Sequence, residues 1–241
     1  MAFTVLGAGL LWFGWFGFNA GSALAASPSA ALAFVNTMLA PATTLIVWTL
    51  LDLHRTGKVT GVGAATGIVV GLVAITPAAG FVGPMAAVVL GGLAALPSYF
   101  ALLWRARTRL DDSLDVVAAH GVGGTVGALL TGVLANKAWN GTADGLLFGN
   151  PGQLGVQALA VVVVIAFSAL GTLAILKLIA VFGALRVDPR SEGLGLDVSE
   201  HGEEAYARGE GAILVLPDAV PVRPAGEAVD RATSVPEGGR A

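Results

Sequence analysis

The chain has 241 residues, of which 55% are hydrophobic and 12% charged, with a formal net charge of −3 and no cysteine. Soluble proteins are about 25% charged, so composition excludes an ordinary water-soluble globule. The missing cysteine excludes disulfides, iron–sulfur clusters and thiol nucleophiles. Residues 186–241 hold 17 of the 29 charged side chains, leaving 12 for residues 1–185, and a segment that size without a polar shell reads as an all-α, polytopic membrane protein.

Six apolar segments are read as long enough to cross a bilayer, which takes ~20 helical residues. The first, residues 3–26, starts almost at the N-terminus without the charged start and cleavage site of a signal peptide, so the chain is expected to open on a membrane helix. Leu11, Trp15, Phe18 and Ser22 follow i, i+4, i+7, i+11 and share one face of it. The aromatics there offer π faces to a cation, although aromatic packing or an interfacial belt accounts for them equally. Residues 30–51 form the second span. The third and fourth, 59–76 and 80–104, lie in one uncharged run broken by the turn signal Thr76-Pro77-Ala78-Ala79-Gly80. Asn19 and Asn36 are expected to hydrogen-bond between helices.

Gly63, Gly67 and Gly71 form a double GxxxG ladder on the third span. Gly123 and Gly127 repeat the spacing on the fifth, and Gly7, Gly14 and Gly21 make a seven-residue stripe on the first. All read as faces for close backbone approach. The fifth span, 114–136, carries the one histidine inside a span, His120. It lies eight residues after Asp112, ~12 Å along a helix and close to the midplane of a ~30 Å core. A dry setting favours the uncharged imidazole, which offers one donor and one acceptor to a small polar solute. The alternative is a histidine bonded between helices. A b-type haem is not expected, since no second intramembrane histidine is at hand as axial ligand. On α-helical spacing Val116 shares the His120 face, whereas Asp115 lies ~140° away. Asp112 and Asp115 read as an N-cap and its N3 partner, structural or mechanistic. The sixth span, 154–185, is ~48 Å long at 1.5 Å per residue. Its Lys177 is expected to snorkel toward the surface.

One alternating set of loops holds Arg55, Lys58, Arg105, Arg107, Arg109, Arg186 and Arg190, and the other only Lys137. The positive-inside tendency therefore puts the first set, both termini and the tail 186–241 in the cytoplasm. The acidic, proline-bearing stretch 211–241 is expected to be disordered, while residues 192–210 read as able to dock under the membrane part. Nucleic-acid binding has no basic, aromatic-interleaved cluster to support it. No phosphate loop, metalloprotease motif or deep carboxylate pair suggests an enzyme, metal site or cofactor.

The string Gly14-Trp15-Phe16-Gly17-Phe18-Asn19-Ala20-Gly21-Ser22 resembles the signature of the ammonium transporter (Amt/Mep/Rh) family, in its Amt/Mep branch. Ala33-Phe34-Val35-Asn36-Thr37, the Thr76–Gly80 turn, Asp115 through His120-Gly121-Val122-Gly123-Gly124, and the tail stretches around Gly195-Leu196-Asp197, His201-Gly202-Glu203 and Ala205-Tyr206 occur in family order. The resemblance implies an eleven-span fold of two inverted five-span repeats plus a last helix, of which this chain is similar to the sixth span onward. Met1 then matches an internal methionine, and the chain is expected to be an N-terminally truncated form. By the same resemblance His120 is the second of twin pore histidines and Phe18 one of two gating phenylalanines. Ser22 is the hydroxyl of an outer recruitment site, and Trp15 and Val116 line the pore. The first histidine, the other phenylalanine, the recruitment tryptophan and a fifth-span aspartate are not in this chain. The implied activity is conduction of ammonia after an ammonium ion is recruited and deprotonated. The implied setting is a homotrimer in the cell (plasma) membrane, with a PII-type signal protein as partner on the cytoplasmic face. An ammonium sensor of the same fold and an inactive membrane fragment are the alternatives.

Overall fold

The computed structural model describes residues 1–203. Those residues are helical, without strands. The predicted disorder of 211–241 and the matching Ala205 and Tyr206 lie outside them. Contacts divide the chain into two compact units, Met1–Leu170 and from Gly171 onward.

In the first unit α1 is Ala2–Gly21, α2 Pro28–Thr56, α3 Gly61–Ile75 and α4 Pro84–Arg105. A π-helical turn, Val117–Val122, runs directly into α5, Gly123–Leu134. A short α6, Lys137–Asn140, and a 3₁₀ turn at Leu146–Phe148 lead to α7, Pro151–Phe182, which crosses the boundary between the units. Five of these stretches are long and apolar enough to cross a bilayer. The expected third span is the exception: α3 has 15 residues, ~22 Å at 1.5 Å per residue.

Local sequence explains the boundaries. Ser27 accepts from the Ala30 N–H at the start of α2, and Pro28 occupies the first turn, where its missing N–H costs nothing. Gly57, with φ 71°, closes α2. Thr60 accepts from Gly63 N–H to cap α3.

The core lies where α2, α3 and α4 meet. Gly71, on the ladder, permits this: a Cβ there would sit 2.4 Å from Pro41 Cα. Gly91 of α4 approaches Ala40 and Gly127 of α5 approaches Ala74 in the same manner. The stripe Gly7, Gly14, Gly21 differs from expectation: a Cβ at each meets nothing within 4 Å among the described residues. Periodicity shows which glycines share a face, not whether a neighbour covers it.

The irregular backbone of residues 76–83 is enclosed, with Ala78, Ala79 and Val82 buried. Non-helical backbone at membrane depth requires such cover. Asn36 of α2 donates to the carbonyls of Ala79 (2.8 Å) and Val82 (2.7 Å). Asn19 of α1 donates to Thr37 Oγ1 at 3.0 Å. Both asparagines thus bond between elements, as expected. At one end of the core Asp52 is buried and accepts from Tyr99 Oη (3.1 Å) and Thr60 Oγ1 (3.2 Å), joining α2, α4 and the cap of α3.

In the second unit, residues 171–182 of α7 carry the exposed Lys177. They are followed by α8, Pro189–Leu194, and α9, Leu196–His201. Asp188 accepts from Arg190 N–H and Ser191 N–H and from the Ser191 hydroxyl. The Ser191 hydroxyl and these N–H groups hold its carboxyl below the usual carboxylate range. The Arg186 guanidinium does the same for Glu192.

Candidate functional site

Trp15 of α1 is half-buried, and its indole is tethered: Nε1 donates to Thr76 Oγ1 at 2.8 Å. Phe18 stands one turn on, its ring edge-to-face with Trp15 at 5.7 Å, and is 62% exposed. Ser22 follows the end of α1 and turns its hydroxyl back to Phe18 O at 2.7 Å. Leu10, Leu11, Gly14, Trp15 and Phe18 line a groove of about 290 Å³.

Leu11 also lines a second cleft, of about 270 Å³, as does His120. Gly7 and Ala8 of α1, Thr66 and Val69 of α3, and Leu114 and Ala119 complete most of its lining. Leu11 therefore joins the aromatic face of α1 to the imidazole. On its other side His120 borders a third cleft of about 380 Å³, shared with Gly124 and Thr125 of α5 and Gln157, Val161 and Ser168 of α7. His120 is exposed and has no hydrogen-bond partner among the described residues.

The backbone under His120 departs from expectation. It is a π turn, wider than an α turn, so α-helical spacing does not assign faces across it. Val116 is 48% exposed and does not line the clefts bordered by His120; Leu114 takes that place in the smaller one.

The carboxylates before the turn also depart from a simple capping box. Asp112 accepts from Val116 N–H and Val117 N–H, one on each oxygen, both at 2.9 Å. The Val117 N–H, with help from Val116 N–H and the Arg105 charge, holds its carboxyl below the usual carboxylate range. Asp115 does not reach back to complete the box. Its backbone is left-handed, φ 55°, and its carboxylate is paired with Arg105, the last residue of α4. Sequence reading missed Arg105, which counts as one more cytoplasmic cation when loops are tallied by charge. Thr76, the acceptor for Trp15, reads in sequence only as part of a turn. No metal-holding group of His, Asp or Glu occurs among the described residues.

A multi-pass helical membrane protein is thus defined, with an imidazole on a π turn facing a cleft that it shares with an aromatic-bearing helix. Residues 1–206 match the Ammonium Transporter Family, and the chain belongs to that family. It is 50% identical over 204 residues to an ammonium transporter of Aquifex aeolicus, covering 84% of this chain and 48% of the relative. To ammonium transporter Amt1 of Archaeoglobus fulgidus it is 46% identical, covering 84% and 51%. Among solved structures, Saccharomyces cerevisiae Mep2 superposes with a TM-score of 0.67 at 39% identity, over 70% of this chain and 42% of that one. A structure described as a sensor Amt protein gives 0.72 at 36% identity, over 81% and 48%. The chain spans about half the length of these relatives.

Proposed function

We propose that this chain builds one side of an ammonia-conducting passage, with His120 as the hydrogen-bonding group of a dry pore. The observation that carries this reading is the shared cleft: His120 and Leu11 both line it, and Leu11 also lines the groove of Trp15 and Phe18. Ammonium resembles potassium in size and charge but can lose a proton. Ser22 and the aromatic faces of Trp15 and Phe18 suit recruitment of the cation. An apolar passage then excludes the bare ion, while a neutral imidazole both donates to and accepts from ammonia. The proton travels separately, along imidazoles.

In this reading Val116 flanks the passage, and Asp112 and Asp115 support it from the cytoplasmic end. Residues 1–185 form the membrane part and 186–241 the tail. Both termini face the cytoplasm across the plasma membrane, by the distribution of Arg and Lys. Homotrimers and a PII-type partner on that face are implied by the family resemblance, and so is the need for the remainder of the family fold to enclose the passage.

The test is His120→Ala in the protein assembled with that remainder. Ammonium uptake is expected to vanish, or potassium to pass where it did not before. Wild-type ammonium flux without potassium leakage would refute the role of the imidazole. The similarity to a sensor Amt protein supports a second reading, in which occupancy is signalled through the tail. Flux that survives removal of the tail, with loss of an ammonium-dependent response in a partner, distinguishes it.

A further inference from the structure

We propose that the Arg105–Asp115 ion pair is a positioning device that sets the direction of the His120 side chain. No hydrogen bond orients that ring among the described residues, so the backbone beneath it does. That backbone is the π turn Val117–Val122. Its far end is fixed by close packing, with Gly127 of the following helix against Ala74. Its near end hangs on two carboxylates with different tasks. Asp112 binds the peptide N–H groups of Val116 and Val117 and so holds the turn to its own loop. Asp115 ties it to another element.

Three features converge on Asp115. Its carbonyl accepts from Ala119 N–H at 2.9 Å, so it supplies an early hydrogen bond of the helix that carries the imidazole. Its backbone is left-handed, φ 55°, a conformation costly for most L-residues and tolerated by aspartate. Its carboxylate holds the guanidinium of Arg105, where α4 ends. Helix α4 is anchored in the core through Leu90, Ala94 and Ser98, all 0% exposed, so the tether leads to a rigid body.

The pair is partly withdrawn from water, with side-chain exposures of 23% and 27%. Screening there is weaker than at an open surface. Among the described residues the Nε of Arg105 is buried without a partner, and its Nη2 donates to the Asp115 carboxylate, while its charge also reaches Asp112. A π turn adds a residue to the helix and rotates the side chains beyond it about the helix axis. Loss of the tether lets the turn relax toward α-helical spacing and swings the imidazole away from Leu11.

This inference rests on the pore reading for its significance, but its test does not need flux. The chain has three histidines, His54, His120 and His201. In the full chain in lipid nanodiscs, with ¹⁵N-labelled histidine, the other two serve as internal references. Asp115→Gly keeps the backbone suited to positive φ and removes the carboxylate; Arg105→Gln removes the charge. Each is expected to shift or split the His120 ring resonances while those of His54 and His201 stay in place, and Arg105→Lys should restore the wild-type position. If a single variant does not fold, the double variant Arg105→Met/Asp115→Asn leaves no unpaired charge. Unmoved His120 resonances in a folded variant overturn the proposal, even where its unfolding temperature falls, because that marks the pair as a staple only. Displaced resonances with unchanged ammonium flux in the assembled protein would instead sink the pore role of His120 and leave the positioning role standing.

Discussion

Asp112 shows how much one side chain contributes at the entrance to the functional helix. Both of its oxygens accept peptide N–H groups, charge-assisted bonds that are stronger than neutral ones. Its folded-state pKa is depressed, so its contribution is present above the ordinary carboxylate pKa and is lost as pH falls through the depressed value. Protection of the Val116 and Val117 amides, taken as exchange relative to the intrinsic rate at each pH, is expected to be high at neutral pH and to fall on acidification below the ordinary aspartate range. In Asp112→Asn it should be low at neutral pH as well. Protection that is high in the variant and indifferent to acid would show that the peptide groups are protected by something else. Asp112 was legible as a cap because the N–H groups that donate to it, Val116 and Val117, lie close after it in sequence. The Arg105 partnership of Asp115 was not: it depends on a left-handed residue and on where α4 ends, neither of which leaves a periodic trace.

Helices α2, α3 and α4 were legible as elements because hydropathy, proline and capping residues agree. Which faces touch was half legible. The ladder on α3 does press on α2, since Gly71 abuts Pro41. The stripe on α1 has the same look in sequence and faces open space among the described residues. The two glycine sets should therefore respond oppositely to a single methyl group. Gly71→Ala is expected to destabilise the chain by about 1–3 kcal/mol, the usual cost of overpacking. Gly14→Ala should leave it unchanged or slightly more stable, since alanine is the better helix former by about 1 kcal/mol. Thermal unfolding in a mild detergent reads both, and equal losses would refute the assignment of packed and open faces. The π turn escaped the sequence for a related reason: hydrophobic period locates a helix but does not reveal one added residue within a turn.

At the scale of the whole molecule, the groove on α1 and the two clefts beside His120 form open troughs rather than a closed conduit. Phe18 and Val116 are both substantially exposed, at 62% and 48%. The chain also spans about half of its relatives' length. Liposomes carrying the chain alone are therefore expected to show no ammonium flux, and flux should arise on co-reconstitution with the first half of a family transporter. Flux from the chain alone would mean that copies of it close the passage among themselves. The same expectation was legible in the sequence, because by the family resemblance the first histidine, the other phenylalanine, the recruitment tryptophan and a fifth-span aspartate have no match in this chain.

Helix α7 has 32 residues, none of them buried. An amphipathic helix waits for a neighbour to cover its apolar stripe, whereas one greasy around its whole circumference already has a favourable environment in hydrocarbon. Partitioning of α7 out of the translocation machinery thus does not depend on tertiary assembly. This helix can thread the bilayer as an autonomous anchor first, and find its neighbours by lateral diffusion afterwards.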